Sequence, residues 1–255
     1  MNDEILLERL NGFTRREFTA EEVYIFPVLL CDNEIDRDNE RFSLEALGKM
    51  AELFVGVTGI FDHNPKGSNQ TARLFFAEVS EDTEKTNSLG EAYACLKGYA
   101  YMVRTESNAD LIREIDGGIK KEVSVSCRAK SRICSVCGAD VSQNACRHIK
   151  GNTYGEKLCF HTLEDISDAY EWSFVAVPAQ VRAGVTKGHG DTQRRSELEG
   201  RIRRALLLEN ADGKAVKFFE AVKDKLELSE LEELGKKLAV GRYPEKTADL
   251  SEYML

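Results

Sequence analysis

Along the first 185 residues the apolar positions fall into short runs and alternations that read as strands, broken by turn-forming residues. These are 23–30 (VYIFPVLL), 72–79 (ARLFFAEV), 92–103 (AYACLKGYAYMV), 122–128 (EVSVSCR) and 171–177 (EWSFVAV). Pro27 cannot donate to a ladder, so it predicts an edge or a bulge in the first of them. Two segments instead repeat at helical spacing. One is capped by Ser43, carries Leu44, Leu47, Met50, Leu53 and Phe54 on one face and stops at Gly56; the other runs from Asn108 through Leu111, Ile112 and Ile115 to Gly117 and Gly118. At 184–191 small and turn-forming residues gather (GVTKGHGD), and from Thr192 onward the pattern is helical and densely charged. The pattern predicts an α+β chain: a small β-barrel-like core of mainly antiparallel strands with a few flanking helices over residues 1–185, a linker at 186–192 and a helical C-terminal region at 193–255.

Composition narrows the functional classes. With 255 residues, 42% of them hydrophobic, the chain has material for one ordinary core plus an appendage. A formal charge of −9 disfavours a main role in neutralising nucleic-acid phosphates. No apolar window is long enough to span a bilayer, and the first residues lack the order of a secretory signal, so a cytoplasmic protein without a membrane partner is expected. The cysteine count of seven is odd, and four of the seven fall between Cys134 and Cys159, which points to a metal rather than a disulfide framework.

Cys134 and Cys137 form a C-x-x-C pair followed by Gly138, and Cys146 and His148 follow after a short loop. Such a turn lets two thiolates converge on one ion, and the second pair closes the four-coordinate shell zinc prefers. Cys159 and His161 could replace His148 as the fourth ligand. A catalytic deaminase zinc is disfavoured, because those enzymes need an H-x-E and the chain has none. A structural zinc would order residues 129–160, which are too poor in apolar side chains to fold alone.

Three further segments carry groups suited to acyl transfer. His63 follows a short apolar run and precedes a turn at Asn64-Pro65; Ser124 and Ser126 share one face of a strand; Asp168 and Glu171 stand at the entrance to another. A serine hydroxyl needs a base within reach, and the base works better with a third polar group fixing its tautomer. Taken singly, each has an ordinary explanation as a surface or half-buried polar residue.

Together, IDRDNERFSLEALGKMAELFVGVTGIFDHN, GGIKKEVSVSCR and EWSFVAVPAQ resemble the tailed-phage prohead (capsid maturation) protease family, whose fold is similar to that of the herpesvirus assemblins. The resemblance covers about Val23 to Val185. It implies a serine endopeptidase that processes capsid and scaffold proteins, and conceivably itself, in assembling proheads in the host cytoplasm, with a homo-oligomer compatible. His63 matches the general base, Ser124 the nucleophile and Glu171 the acid. The family often has Gly two residues after the nucleophile where this chain has Ser126, which keeps Ser126 in contention, and Asp168 rivals Glu171. The cysteine segment is similar to a zinc-ribbon elaboration. The alternative is a non-enzymatic, zinc-stabilised virion assembly protein that keeps the fold without the activity.

Overall fold

The computed structural model describes residues 3–186, 198–200, 202–207, 213–226 and 228–240. The alternating segments become ten strands: β1 (Val23–Asp32), β2 (Glu40–Phe42), β3 (Thr58–Phe61), β4 (Ala72–Thr86), β5 (Ala92–Val103), β6 (Val123–Cys134), β7 (Thr153–Tyr154), β8 (Lys157–Leu158), β9 (His161–Phe174) and β10 (Gly184–Val185). Eight of them form one mixed sheet in the order β10-β1-β5-β4-β3-β9-β2, with β6 on β9, and β7 and β8 make a separate hairpin. β2 and β3 run parallel to the two ends of β9, and β6 runs antiparallel along its other side.

The sheet corrects the barrel-like expectation: it is a mixed sheet and not a closed barrel. Its ends meet only at an isolated bridge between Glu122 and Gly184, where Val185 N donates to Lys121 O at 2.6 Å. β10 has two residues, too few to supply a ladder between β1 and β6. The approach needs glycine, since a Cβ on Gly184 would lie 2.8 Å from Lys121 O. Pro27 sits just beyond the part of β1 that β10 covers, Val28 and Leu29, so it costs no ladder bond there, and a bulge follows between Leu29 and Cys31.

Three helices accompany the sheet: α1 (Asp3–Phe13), α2 (Leu44–Leu53) and α3 (Ala109–Asp116). Ser43 caps α2 by accepting from Ala46 N at 3.1 Å, and Leu47, Met50 and Phe54 are buried in the main core with Phe26, Leu30, Leu74, Leu96, Trp172 and Phe174. α1, which the polar pattern of its sequence did not announce, lays Leu6 and Leu10 against Val23, Phe75 and Tyr99. Trp172 is fully buried under β3, and a Cβ on Gly59 would come within 2.4 Å of its ring.

The β6–β9 ribbon continues to Cys134 and His161, well past the expected strand end at Arg128, because two bulges, at Ser126/Cys127 and Arg128/Ala129, let the pairing resume. Residues 129–134 of the expected insertion are therefore in the ladder. Among the described residues β9 is the one strand that pairs along β6; its other side carries only isolated bridges at the two ends, Glu122 with Gly184 and Ile133 with Asp140.

The chain divides into two compact units, with the break at Lys187–Gly188. Thr186 N donates to Pro27 O at 3.0 Å, while the rest of the expected linker lies outside the described residues. In the second unit the helices Lys214–Val222 and Leu228–Val240, with residues 202–207, gather Ile202, Phe219 and Leu231 into a small core. Residues 193–197, 201, 208–212, 227 and 241–255 lie outside the described residues.

Candidate active site and metal centre

β9 is the strand on which the candidate site is built. Because residues two apart share a face, Glu171 and Ser173 point the same way, and the antiparallel register sets Ser126 opposite Glu171 and Ser124 opposite Ser173. β3 lies on the other side of β9, with Ile60 opposite Ser173, and leads directly into Asp62 and His63. His63 is thereby carried over the face that holds both serines and the glutamate.

His63 Nδ1 is 2.7 Å from Glu171 Oε1 and 3.2 Å from Ser126 Oγ. The Glu171 side chain is 8% exposed and that of His63 43%, so a buried carboxylate holds a ring that is open to solvent. A carboxylate can only accept, so the contact fixes the proton on Nδ1 and leaves Nε2 as the bare, basic nitrogen. Ser126 therefore stands at the nitrogen that carries the proton, where its oxygen can only share that donor.

Of the sequence candidates, the structure brings together His63, Glu171 and Ser126. Ser124, the nucleophile expected from the sequence, is half-buried on the same face, one pair along the ladder, with no hydrogen bond to His63 among the described residues. Asp168 is elsewhere: it lies opposite Arg128, exposed, and accepts from Ala169 N at 2.9 Å.

One residue was missed. Ser173 is fully buried; its hydroxyl donates to Glu171 Oε2 at 2.6 Å and accepts from His63 N at 3.0 Å. The E-x-S spacing on a strand was the available signal, since period two puts the serine beside the carboxylate.

At the other end of the ribbon the Cys134, Cys137 and Cys146 sulfurs and a ring nitrogen of His148 lie within 4.8 Å of one another, and this Cys3His cluster could hold a metal ion. The turn is built for it: Gly138, at φ 73°, donates to Cys134 O at 2.8 Å, and Cys134 N donates to Ala139 O at 2.9 Å. The buried Cys134 thiol meets a desolvation penalty, which backbone amides of Cys137 and Val136 and the Cys137 and Cys146 thiols outweigh, lowering its pKa and favouring the ligating thiolate.

Cys159 Sγ is 4.0 Å from Cys134 Sγ, close to the edge of about 3.8 Å that Zn–S bonds near 2.3 Å give a tetrahedron. It lies beside Cys134 but outside the four residues whose donor atoms all lie within 4.8 Å of one another. His161 is outside the cluster, in register with Cys134 and Glu40, and burial followed by the Lys150 charge holds its imidazole pKa down. His148 packs edge-on to Tyr154 with centroids 4.6 Å apart, and Tyr154 Oη accepts from Ile149 N at 2.9 Å.

No helix among the described residues is long and apolar enough to cross a membrane. In comparisons with known proteins, no family model, no curated protein and no solved structure matches the chain.

Proposed function

We propose that the chain is a serine endopeptidase of the prohead maturation type, acting on capsid and scaffold proteins inside an assembling phage prohead. The observation that carries this is the imidazole of His63, pinned through Nδ1 to the buried Glu171 at 2.7 Å above a strand face bearing two serine hydroxyls. The resemblance of the three segments to prohead proteases supplies the substrate class.

In the reaction His63 Nε2 removes the proton from the nucleophilic Oγ as that oxygen bonds to the peptide carbonyl carbon. Glu171 stabilises the imidazolium that results. The imidazolium then gives its proton to the leaving amine as the C–N bond breaks, and a water activated by the same nitrogen releases the acyl group. With Nδ1–H committed to Glu171, the nucleophile has to meet Nε2, which favours Ser124 over Ser126. Ser126, sharing the Nδ1 proton, helps to hold the ring.

The Cys3His cluster is proposed to hold a structural zinc through Cys134, Cys137, Cys146 and His148. All four coordination positions are then filled by protein, as in closed structural sites, and the ion would crosslink a loop with little apolar core of its own. About one zinc per chain is expected by elemental analysis, and Cys134→Ser should abolish its retention.

The test of the activity follows intact mass over time for wild type, Ser124→Ala and Ser126→Ala, each alone and with capsid or scaffold protein. Cleavage lost in Ser124→Ala and only weakened in Ser126→Ala supports the assignment; the reverse moves the nucleophile to Ser126. If wild type and both variants leave themselves and the added proteins uncut, the peptidase reading fails and the non-enzymatic assembly protein replaces it.

A further inference from the structure

His63 follows Asp62, and both residues have left-handed backbones, φ 54° for Asp62 and φ 52° for His63. Neither is glycine, so each conformation is sterically costly and persists only where its surroundings enforce it. The enforcement is visible. Asp62 N donates to Phe174 O at 3.1 Å and His63 N to Ser173 Oγ at 3.0 Å, so the turn that presents the imidazole is tied to the end of β9 at two successive residues.

Ser173 has its other bond on Glu171. Its hydroxyl donates to Oε2 at 2.6 Å, while Oε1 faces His63 Nδ1 at 2.7 Å. One hydroxyl therefore grips both partners of the His63–Glu171 hydrogen bond, the base through its backbone and the acid through the oxygen the base does not use. At 0% exposure Ser173 cannot itself meet a substrate, and its single proton is already given to the carboxylate. Without it, Oε2 would be a buried acceptor short of a partner, and the carboxylate would be free to turn about its terminal torsion.

We propose that Ser173 is a positioning residue that acts through Glu171 and the His63 backbone to keep the imidazole in its Nδ1–H tautomer, with Nε2 bare. The proposal rests on the peptidase reading only for its catalytic consequence.

The experiment is 15N NMR of the imidazoles in the full-length protein, aided by a histidine count of four. It compares wild type with Ser173→Ala, Ser173→Thr and Ser173→Val. Wild type should show the Nδ1–H signature for His63. Ser173→Thr, which keeps the hydroxyl, should retain it, whereas Ser173→Val, which has the shape of threonine without the hydroxyl, and Ser173→Ala should shift His63 to a mixture of tautomers while backbone spectra elsewhere stay folded. On a cleavable substrate the two hydroxyl-less variants should lose about tenfold or more in kcat with KM little changed. A preserved Nδ1–H signature in both folded hydroxyl-less variants overturns the proposal. If wild type cuts nothing, the peptidase reading falls and the tautomer comparison still decides the role of Ser173.

Discussion

Individual side chains set the tolerances of the site. Gly59 is the clearest case, because a methyl there would meet the Trp172 ring at 2.4 Å, and Trp172 stands between Glu171 and Ser173. Gly59→Ala is expected to cost about 1–3 kcal/mol, the range of overpacked cores, measured by denaturant unfolding. It should also broaden the His63 imidazole signals, because β3 carries the turn that presents the ring. A second residue-scale prediction concerns pH. The hydrogen bond from Arg41, whose side chain is 8% exposed, holds the Glu91 carboxyl below its ordinary value. A depressed folded pKa means that the pair stabilises the fold above the ordinary carboxylate range and that this is lost as pH falls through the folded value. The difference in Tm between wild type and Glu91→Gln should therefore stay constant at pH values above the ordinary carboxylate range and close as pH falls below it. Glu91 is half-exposed at 51%, so screening keeps the gap small, about 1 kcal/mol or less.

Among the elements, the β6–β9 ribbon connects the metal cluster to the catalytic candidates, yet its two ends are held separately. β3 flanks Trp172 to Phe174 and β2 flanks His161 to Leu163. If the Cys3His cluster holds the proposed ion, chelation should therefore raise amide hydrogen exchange across residues 135–160 while the amides of Ser173 and Phe174 stay protected; equal loss at both ends would mean that the ribbon opens as one unit. For α2, Ser43→Ala removes the cap on Ala46 N and should cost about 1 kcal/mol by the same unfolding measurement. The cap and the apolar face of α2 were legible in the sequence, as was the extent of β5, because periodicity and capping are local. What could not be read was which strands flank β9. The parallel pairing of β3 brings His63 to Glu171 across 108 residues, and no local pattern encodes that neighbour. The bulges that extend the ribbon were equally hidden, since each depends on the partner strand. The role of Ser173 was half legible: its spacing from Glu171 was visible, but its bond to the His63 backbone exists only once β3 is in place.

At the scale of the whole molecule, the first unit owns the sheet, the main core, the catalytic candidates and the cysteine cluster. Residues 1–187 alone are expected to fold cooperatively with the His63 tautomer of the full chain, as circular dichroism and the same NMR would report; an unfolded fragment would show that the first unit needs the C-terminal one. At this scale the sheet is not a closed barrel: strand signals count strands but do not say whether an end strand is long enough to close the sheet, and the two residues of β10 pair with β1 yet meet the β6 side only at one bridge.

The one-sided pairing of β6 has a consequence for the company this molecule keeps. A strand with a vacant flank is a template for any stray β-segment, above all the same strand of another copy. Arg128, Lys130 and Arg132 follow one another at alternate positions along β6, and since the Arg132 backbone is already bonded to Asp140 and Val141, Arg128 and Lys130 are the basic residues of the open stretch. Two such flanks laid side by side would set basic residues among basic residues, which cross-strand pairing penalises. In a chain that is acidic overall, this short basic stretch is expected to disfavour edge-to-edge pairing of two copies, and charge-neutral replacements there should make the protein more prone to form fibrous or sheet-stacked aggregates at high concentration.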